Sequence, residues 1–219
     1  MNINHFMTRF SDVLLNDTHD TTFETFKLLT AGTTGCRIAK LINFAASCLA
    51  EDECYLEVGV FTGYTLIAAN YSNNRLCVGI DSFKPDQIFS IKPEDVRAKC
   101  KFNLMNYTTN ALLIDGDFRD VPKEQIAQPV GVHFIDGDHS YQAIKDDINW
   151  VKPMLAKNAL VIFDDVIYPD ISKAIMETAL ESGFEPVFFH RPLYVADTFY
   201  ALGDRVLNNG LAILRYAAR

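Results

Sequence analysis

Acidic residues follow five successive apolar runs of the sequence, at the point where each run ends. The first run contains Glu57, the second ends at Asp81, and the later ones lead into Asp115 and Asp117, Asp136 and Asp138, and Asp164 and Asp165. Carboxylates brought together repel one another, so such a cluster calls for a metal ion or a positively charged ligand. The alternative is that aspartate is simply common in turns. Recurrence over successive runs favours a functional cluster.

A subset of these acids has the chemistry of a metal site. Asp136 ends one run, and Asp164 and Asp165 end the next, which we expect to be a neighbouring strand. Hard divalent cations prefer oxygen ligands, so Mg²⁺ is the first candidate and Mn²⁺ or Ca²⁺ the alternatives. Asp164 and Asp165 could instead serve only to cap a loop.

Two histidines differ in their expected roles. His133 lies inside an apolar run, where a hydrogen-bonded core histidine is the better interpretation. His139 follows Asp136 by three residues and lies just past the predicted strand. An imidazole there could accept a hydroxyl proton near neutral pH, or it could support Asp136 or the start of the next helix.

The segment EVGVFTGYT, residues 57–65, has the composition of a ligand-binding turn. Gly59 and Gly63 permit a tight strand-to-helix turn and close backbone approach. Asp81 ends the next strand, where an acid can accept hydrogen bonds from ribose hydroxyls. The GxGxxG pattern of a pyrophosphate loop is absent, since Val60 and Phe61 follow Gly59. A glycine turn needed only for packing is the alternative.

The elements that would position these residues are short apolar strands with helices between them. The runs lie at 54–60, 76–80, 111–114, 132–135 and 160–163, with weaker ones at 186–189 and 211–216. They are β-branched and do not alternate strictly, which is typical of strands covered on both faces. The alternation predicts an α/β fold with a doubly wound, mostly parallel sheet.

Apolar spacing also predicts the helices. Tyr141, Ile144, Ile148 and Val151 would share one face, with Ser140 as a candidate N-cap. A second helix is predicted from residue 173 to 182, ended by a glycine. Residues 1–50 are expected to be a helical lid or oligomer arm, and residues 51–219 a ligand-binding domain.

Composition narrows the class of protein. The chain has 219 residues, a formal net charge of −8 and no basic run, so nucleic-acid binding is not expected. No apolar stretch is long enough for a membrane span, so no membrane association is expected. The cysteine count is odd, five, and no CxxC pair is present, which indicates a reduced, cytoplasmic protein with structural thiols.

The stretches LEVGVFTGYT, GIDSF, FIDGDHSY and VIFDDV together resemble the class I S-adenosylmethionine-dependent methyltransferases, of the metal-dependent O-methyltransferase type. The sugar O-methyltransferases of antibiotic biosynthesis look closer than the catechol and caffeoyl-CoA enzymes. The resemblance covers roughly residues 54–168. It implies a Rossmann-like fold with a seven-stranded sheet and S-adenosylmethionine as cofactor.

The resemblance also implies residue roles. Cofactor residues would be Gly59, Phe61, Thr62 and Gly63 at the methionine and ribose, Glu57 supporting that loop, Asp81 and Ser82 at the ribose hydroxyls, Gly116, Asp117 and Phe118 at the adenine, and Asp136 nearby. The catalytic base would be His139, at the position of a catalytic lysine in the catechol-type enzymes, or Asp138. Asp165 replaces an asparagine of those enzymes, but the sugar-modifying relatives carry aspartate there.

The implied reaction is in-line methyl transfer to a hydroxyl of a small molecule. An NAD-type oxidoreductase and a non-catalytic cofactor-binding module are the alternatives. The acceptor would be selected by residues 1–50 and 190–206, where Tyr194, Phe199 and Tyr200 could line a pocket or simply pack. Homodimerisation is possible, but no residue decides it.

Overall fold

The computed structural model describes residues 1–15, 21–84, 91–192 and 209–218, and seven strands within them form one sheet. The strands are β1 Cys54–Val58, β2 Cys77–Asp81, β3 Ala111–Asp115, β4 Val130–Ile135, β5 Leu155–Phe163, β6 Glu185–His190 and β7 Leu211–Ala217. Their order is β3-β2-β1-β4-β5-β7-β6. The pairs among β1 to β5 are parallel, whereas β7 runs antiparallel to both β5 and β6. The predicted doubly wound, mostly parallel sheet is confirmed.

Helices connect the strands and cover the sheet. They are α1 Ile3–Leu15, α2 Thr21–Thr30, α3 Cys36–Ser47, α4 Tyr64–Asn70, α5 Pro93–Tyr107, α6 Tyr141–Val151 and α7 Pro169–Ser182. The predicted N-cap of α6 is confirmed, because the Ser140 hydroxyl accepts a hydrogen bond from the Ala143 N–H. Gly183 ends α7 with a φ of 75°, a left-handed conformation that glycine adopts without steric cost.

The chain reverses its direction of travel across the sheet between β1 and β4. From β1 it moves outward to β2 and β3, and then returns to the other side of β1 to form β4 and β5. This reversal is a topological switch point, and open α/β sheets bind ligands in the crevice outside the carboxyl ends of the strands at such a point.

Backbone hydrogen bonds continue past the strand ends at this edge. The N–H groups of Gly59, Asp136 and Asp164 donate to carbonyls near the ends of neighbouring strands, on Ile80, Val58 and Ile135, at 3.0, 3.0 and 3.2 Å. The first residue after each strand is therefore held in the register of the sheet. We call this edge the rim; it comprises the last residues of β1 to β5 and those that immediately follow them.

Strand β5 begins five residues earlier than the apolar run that predicted it at 160. Its first half contains the polar residues Lys157 and Asn158, which hide the strand from a search for apolar runs. Asn158 pairs with Ala217 of β7, and Leu155 pairs with Val130 of β4. Pairing on both sides thus outweighs the local polarity.

The N-terminal helices are part of the main hydrophobic core. Phe6 of α1 and Leu41 of α3 are fully buried in the same cluster as Val132, Phe134 and Leu160 of the sheet. The predicted helical character of residues 1–50 is confirmed for the residues that the structure describes. The division of the chain at residue 50 stays a prediction.

All five cysteines lie within the described ranges, are buried and form no disulfide. Burial raises the pKa of the Cys54 and Cys77 thiols to about 12, so both are protonated and unreactive at neutral pH. Within the described ranges, no helix combines the length and apolar character needed to cross a membrane.

Candidate active site

The loop after β1 passes directly against the loop after β4. Gly59 has a φ of +93°, and a Cβ atom on it would lie 2.3 Å from the Asp136 carbonyl oxygen. Phe61 also has a positive φ, of 51°, and Gly63 begins α4 from the left-handed region. Only glycine can occupy position 59 without moving the Asp136 backbone. The predicted tight turn is therefore present at the crevice.

The Asp81 side chain holds this loop by accepting hydrogen bonds from the loop backbone. Its Oδ2 accepts hydrogen bonds from the N–H groups of Val60 and Phe61, both at 2.7 Å, and its Oδ1 accepts one from Phe83 at 2.6 Å. Hydrogen bonds to an ionised acceptor are about twice as strong as neutral ones. Asp81 thus determines the shape of the predicted cofactor loop, while its contact with ribose hydroxyls stays a prediction.

Glu57 lies behind the loop rather than in the crevice. Its side chain is fully buried and accepts hydrogen bonds from the hydroxyls of Tyr55, at 2.7 Å, and Thr65, at 2.8 Å. Burial raises the pKa of Glu57 to about 8, against the lowering by these two donors. Because Thr65 belongs to the first turn of α4, Glu57 connects β1 to the helix that follows the loop.

Asp117 follows β3 and lies among cations. Its Oδ2 accepts a hydrogen bond from Lys84 Nζ at 2.9 Å and lies 3.0 Å from Arg119 Nη1. Lys84, followed by Arg119, holds the pKa of Asp117 below its ordinary value. This carboxylate is therefore satisfied without any ligand.

The other residues predicted to border an adenine have different environments. Phe118 is 7% exposed and packs edge-on against Trp150, with ring centroids 5.7 Å apart. Gly116 has open space where a Cβ would lie, since no atom comes within 4 Å. Ser82 is half-buried beside the end of β2. Gly116 and Ser82 thus remain accessible at the rim, whereas the Phe118 ring belongs mainly to the core.

The loops after β4 and β5 bring Asp136, His139 and Asp165 together. One possible ligand atom from each lies within 4.8 Å of the others. Asp164 has a different position, because its Oδ1 accepts the Asp165 backbone N–H at 2.8 Å. Asp165 has a φ of 57°, and this left-handed backbone directs its side chain toward His139. The predicted set Asp136, Asp164 and Asp165 is therefore joined by a histidine, with Asp164 at its edge.

We call Asp136, Asp164, Asp165 and His139 the acid cluster. The carboxylates of this cluster destabilise one another. Burial, followed by the nearby Asp164 and Asp165, raises the pKa of Asp136 well above its ordinary range. Burial, followed by Asp165, raises the pKa of Asp164 to about 8. Burial lowers the pKa of His139, but the surrounding carboxylates, Asp165 first, outweigh it and raise the pKa above its ordinary value. A cation at this point would relieve the repulsion.

His139 faces Asp165 without forming an aligned hydrogen bond. Its Nε2 lies 2.8 Å from Asp165 Oδ2, yet this buried nitrogen has no partner along its N–H direction among the described residues. Adjacent ligands of an octahedral Mg²⁺ at 2.0–2.1 Å would be separated by about 3 Å. The spacing and the unsatisfied nitrogen therefore fit a shared divalent cation. The ring stacks on Tyr168, with centroids 5.3 Å apart, which fixes its plane.

Asp138 and His133 lie close to Asp136 in the sequence, Asp138 after it and His133 before it within β4. Asp138 is exposed, and its Oδ1 accepts the Ser140 N–H at 2.9 Å at the start of α6. His133 is fully buried, with Nε2 2.8 Å from Asp147 Oδ1. The interpretation of His133 as a hydrogen-bonded core residue is confirmed.

Sequence reasoning missed the contribution of the α2–α3 loop. The Thr34 hydroxyl donates to Asp136 Oδ2 at 3.2 Å, and the Thr62 hydroxyl donates to the Ala31 carbonyl at 3.4 Å. The only sequence signal is a short glycine- and threonine-rich break between two helices, which does not identify a partner 102 residues away. Tyr194, Phe199 and Tyr200, predicted as possible pocket residues, lie outside the described residues.

Comparison with protein families identifies the class. The family described as a methyltransferase domain matches residues 56–166, about half of the chain, so the protein belongs to this family. The match spans the glycine loop, the strand-end acids and the acid cluster. The expected relation to methyltransferases is confirmed. A search of curated proteins gives no significant match.

Solved structures share the fold at low sequence identity. The O-methyltransferase TomG from Streptomyces achromogenes, solved with S-adenosylmethionine, is 13% identical, with a TM-score of 0.62 and all of both chains covered. An O-methyltransferase from Bacillus cereus, solved with S-adenosylhomocysteine, is 15% identical, with a TM-score of 0.58 over 99% of this chain and 90% of that one. A TDP-rhamnose 3′-O-methyltransferase of calicheamicin biosynthesis is 16% identical, with a TM-score of 0.54 over 98% and 94%.

Proposed function

We propose that the protein transfers a methyl group from S-adenosylmethionine to a hydroxyl of a small molecule, with the assistance of a divalent cation. Membership of the methyltransferase domain family supports the reaction class. The relatives named above as O-methyltransferases, one solved with S-adenosylmethionine and one with S-adenosylhomocysteine, support oxygen as the acceptor atom and this compound as the cofactor. An NAD-type oxidoreductase has no comparable support.

The observation that carries the proposal is the contact between the glycine loop and the acid cluster. A Cβ on Gly59 would lie 2.3 Å from the Asp136 carbonyl oxygen, so a ligand on the glycine loop would lie beside the Asp136 side chain. A donor and an acceptor held on these two loops would meet at that point. Positioning of this kind supplies a large share of the acceleration of a group transfer.

Asp136, His139 and Asp165 would hold the cation, with Asp164 beside them. Mg²⁺ suits the carboxylates, and Mn²⁺ suits the mixed oxygen and nitrogen set at least as well. When bound, such a cation lowers the pKa of a coordinated hydroxyl and orients it. S-Adenosylmethionine, when bound, supplies an activated methyl group on a sulfonium.

A side chain of the protein would accept the proton that the acceptor hydroxyl loses. His139 is our first candidate to accept the acceptor's hydroxyl proton at Nε2, since that nitrogen lies at the centre of the acid cluster. Asp138, which is exposed and anchored by the Ser140 N–H, is the second. The unaligned contact of His139 Nε2 with Asp165 equally favours a role as cation ligand. A His139→Ala variant decides between these roles, because only a ligand role predicts a large loss of metal affinity.

The acceptor class is a hydroxylated small molecule of the kind that sugar-modifying relatives use. A relative that acts on a TDP-rhamnose hydroxyl has the same fold as this chain, which supports a vicinal diol as the acceptor. We place the cover of this acceptor site on residues 1–50, and the cofactor site on residues 51–219.

Calorimetric titration with S-adenosylhomocysteine, in EDTA and then with Mn²⁺, tests the proposal directly. Binding in both conditions, together with a separate Mn²⁺ isotherm, is the expected result. Binding of S-adenosylhomocysteine without a Mn²⁺ isotherm would support the methyltransferase assignment and contradict the proposed cation. Absence of S-adenosylhomocysteine binding in both conditions would contradict the cofactor assignment, and NADH would be the next ligand to titrate.

A further inference from the structure

Thr34 reaches the acid cluster from the N-terminal part of the chain. It lies in the loop between α2 and α3, is 8% exposed, and donates its hydroxyl hydrogen to Asp136 Oδ2 at 3.2 Å. Threonine is β-branched, so its χ1 angle is restricted and its hydroxyl has few alternative directions. The contact therefore joins a fixed donor to a residue of the proposed cation site.

The loop that carries Thr34 is held against the cofactor loop. A Cβ on Gly32 would lie 2.4 Å from Tyr64 Cβ, so the backbone of residue 32 rests directly on the first residue of α4. The Asn103 side chain donates to the carbonyls of Thr62, at 2.8 Å, and Thr30, at 3.4 Å, and thus bridges the cofactor loop and the end of α2, from which the Thr34 loop departs. Thr34 therefore cannot move independently of the glycine loop.

Asp136 needs a partner that fixes its direction. The acidic side chains around it are repulsive, and without a donor its carboxylate would rotate away from them. A hydrogen bond from Thr34 to Oδ2 holds the plane of the carboxylate while leaving room for further contacts to its oxygens. Partners of this kind orient metal ligands in other proteins, and their loss typically costs 10–100-fold in metal affinity.

We propose that Thr34 is a positioning residue of the active site, whose hydroxyl holds the Asp136 carboxylate in the direction required to bind a divalent cation. The N-terminal segment then completes the site rather than only covering it. This inference rests on the proposed function, because it assumes a cation beside Asp136.

Paired substitutions of Thr34 separate the hydroxyl from the packing. Thr34→Val keeps the shape and removes the donor, whereas Thr34→Ser keeps the donor. In full-length protein saturated with S-adenosylhomocysteine, Mn²⁺ binding is measured by electron paramagnetic resonance. We expect Thr34→Val to weaken Mn²⁺ binding by about 10-fold or more and Thr34→Ser to remain near the wild type.

Thr108→Val serves as the matched control, since it removes a hydroxyl that donates to the local Leu104 carbonyl of α5, at 2.7 Å, away from the acid cluster. It should leave Mn²⁺ affinity unchanged. S-Adenosylhomocysteine affinity should be the same for both Thr34 variants as for the wild type, and both variants should melt in a single cooperative transition, which shows that they are folded. These readouts separate a change at the cation site from a change in folding.

Two outcomes would overturn the inference alone. One is wild-type Mn²⁺ affinity in Thr34→Val, and the other is equal weakening in Thr34→Val and Thr34→Ser, which would assign Thr34 to packing. A wild-type protein that binds S-adenosylhomocysteine but no Mn²⁺ would overturn both this inference and the proposed cation. A wild type that binds neither would contradict the proposed function itself.

Discussion

The two halves of the rim carry the same residue type in opposite electrostatic states. In the cofactor half, at the ends of β2 and β3, Asp81 accepts backbone N–H groups and Asp117 lies against Lys84 and Arg119. In the acid half, at the ends of β4 and β5, the half-buried Asp136 and the buried Asp164 lie near like charges, and the pKa of each is raised. The first half has its carboxylates satisfied by donors and cations, whereas in the second half burial and like-charge repulsion outweigh the lowering of the Asp164 pKa by His139 and Lys27.

This contrast shows what each half is suited to do. A carboxylate that is already hydrogen-bonded stabilises the loop around it and presents a fixed shape to a neutral part of a ligand. A crowded carboxylate has unused capacity, which a cation would satisfy. The asymmetry therefore favours cofactor recognition in the first half and cation-assisted chemistry in the second.

Asp136→Ala should give the largest effect and should be confined to the acid half. Loss of a ligand should weaken Mn²⁺ binding by more than the ~10–100-fold expected for a supporting partner, while S-adenosylhomocysteine affinity changes only slightly. Removing one crowded carboxyl should also stabilise the metal-free protein above neutral pH. Calorimetry and thermal melts in EDTA would measure both. Equal losses of both ligands would erase the distinction between the halves.

Asp81→Asn tests the cofactor half in the opposite direction. The amide retains one acceptor oxygen and cannot satisfy all the backbone N–H groups that the carboxylate now accepts. We expect S-adenosylhomocysteine affinity to fall about tenfold and the free energy of unfolding to fall by about 2 kcal/mol, since hydrogen bonds to charged groups contribute roughly 1.5–3 kcal/mol. Mn²⁺ affinity should not change. A loop indifferent to this substitution would contradict the role of Asp81.

Of the three substitutions, Glu57→Gln should change ligand affinity least. It refines the comparison because Glu57 accepts hydrogen bonds from two hydroxyls and lies against no cation among the described residues. Burial raises its pKa from 4.5 to about 8 in the folded protein. Its contribution to stability is therefore complete below about pH 4.5 and is lost as the pH rises through 8. In urea titrations with EDTA, the free energy of unfolding should decline more steeply between about pH 5 and 8 for the wild type than for the variant. Parallel curves would show that Glu57 is ionised throughout.

The rim itself could be predicted from the sequence, but its pairings could not. Apolar runs ending in acids place carboxylates at one edge because parallel strands share a direction, and this geometry needs no side-chain detail. Whether a carboxylate is satisfied depends on backbone directions that the residue types do not encode. The left-handed backbone at Asp165 turns its side chain toward His139, and Asp164 instead accepts a backbone N–H.

Long-range contacts of the loops set a second limit on prediction. Thr34 belongs to a segment with no periodic pattern, and its contact with Asp136 depends on the packing of α2 and α3 against α4. Strand β5 shows the same limit within the fold, since its polar first half becomes a strand only through pairing with β4 and β7.

The hydrogen bonds that extend the sheet ladder past the strand ends have a consequence for how such an enzyme can change. Gly59, Asp136 and Asp164 each occupy a slot set by the neighbouring strand, through bonds of 3.0, 3.0 and 3.2 Å. A substitution at Asp136 or Asp164 replaces the side chain while the backbone position stays fixed. Insertion of a single residue in the regular part of β4, beyond the register shift between Val130 and Val132, would by contrast turn every later side chain of that strand to the opposite face and remove Asp136 from the crevice. This fold can therefore acquire new chemistry by substitution of residues at the rim. Changes in strand length would instead displace the residues that carry the chemistry.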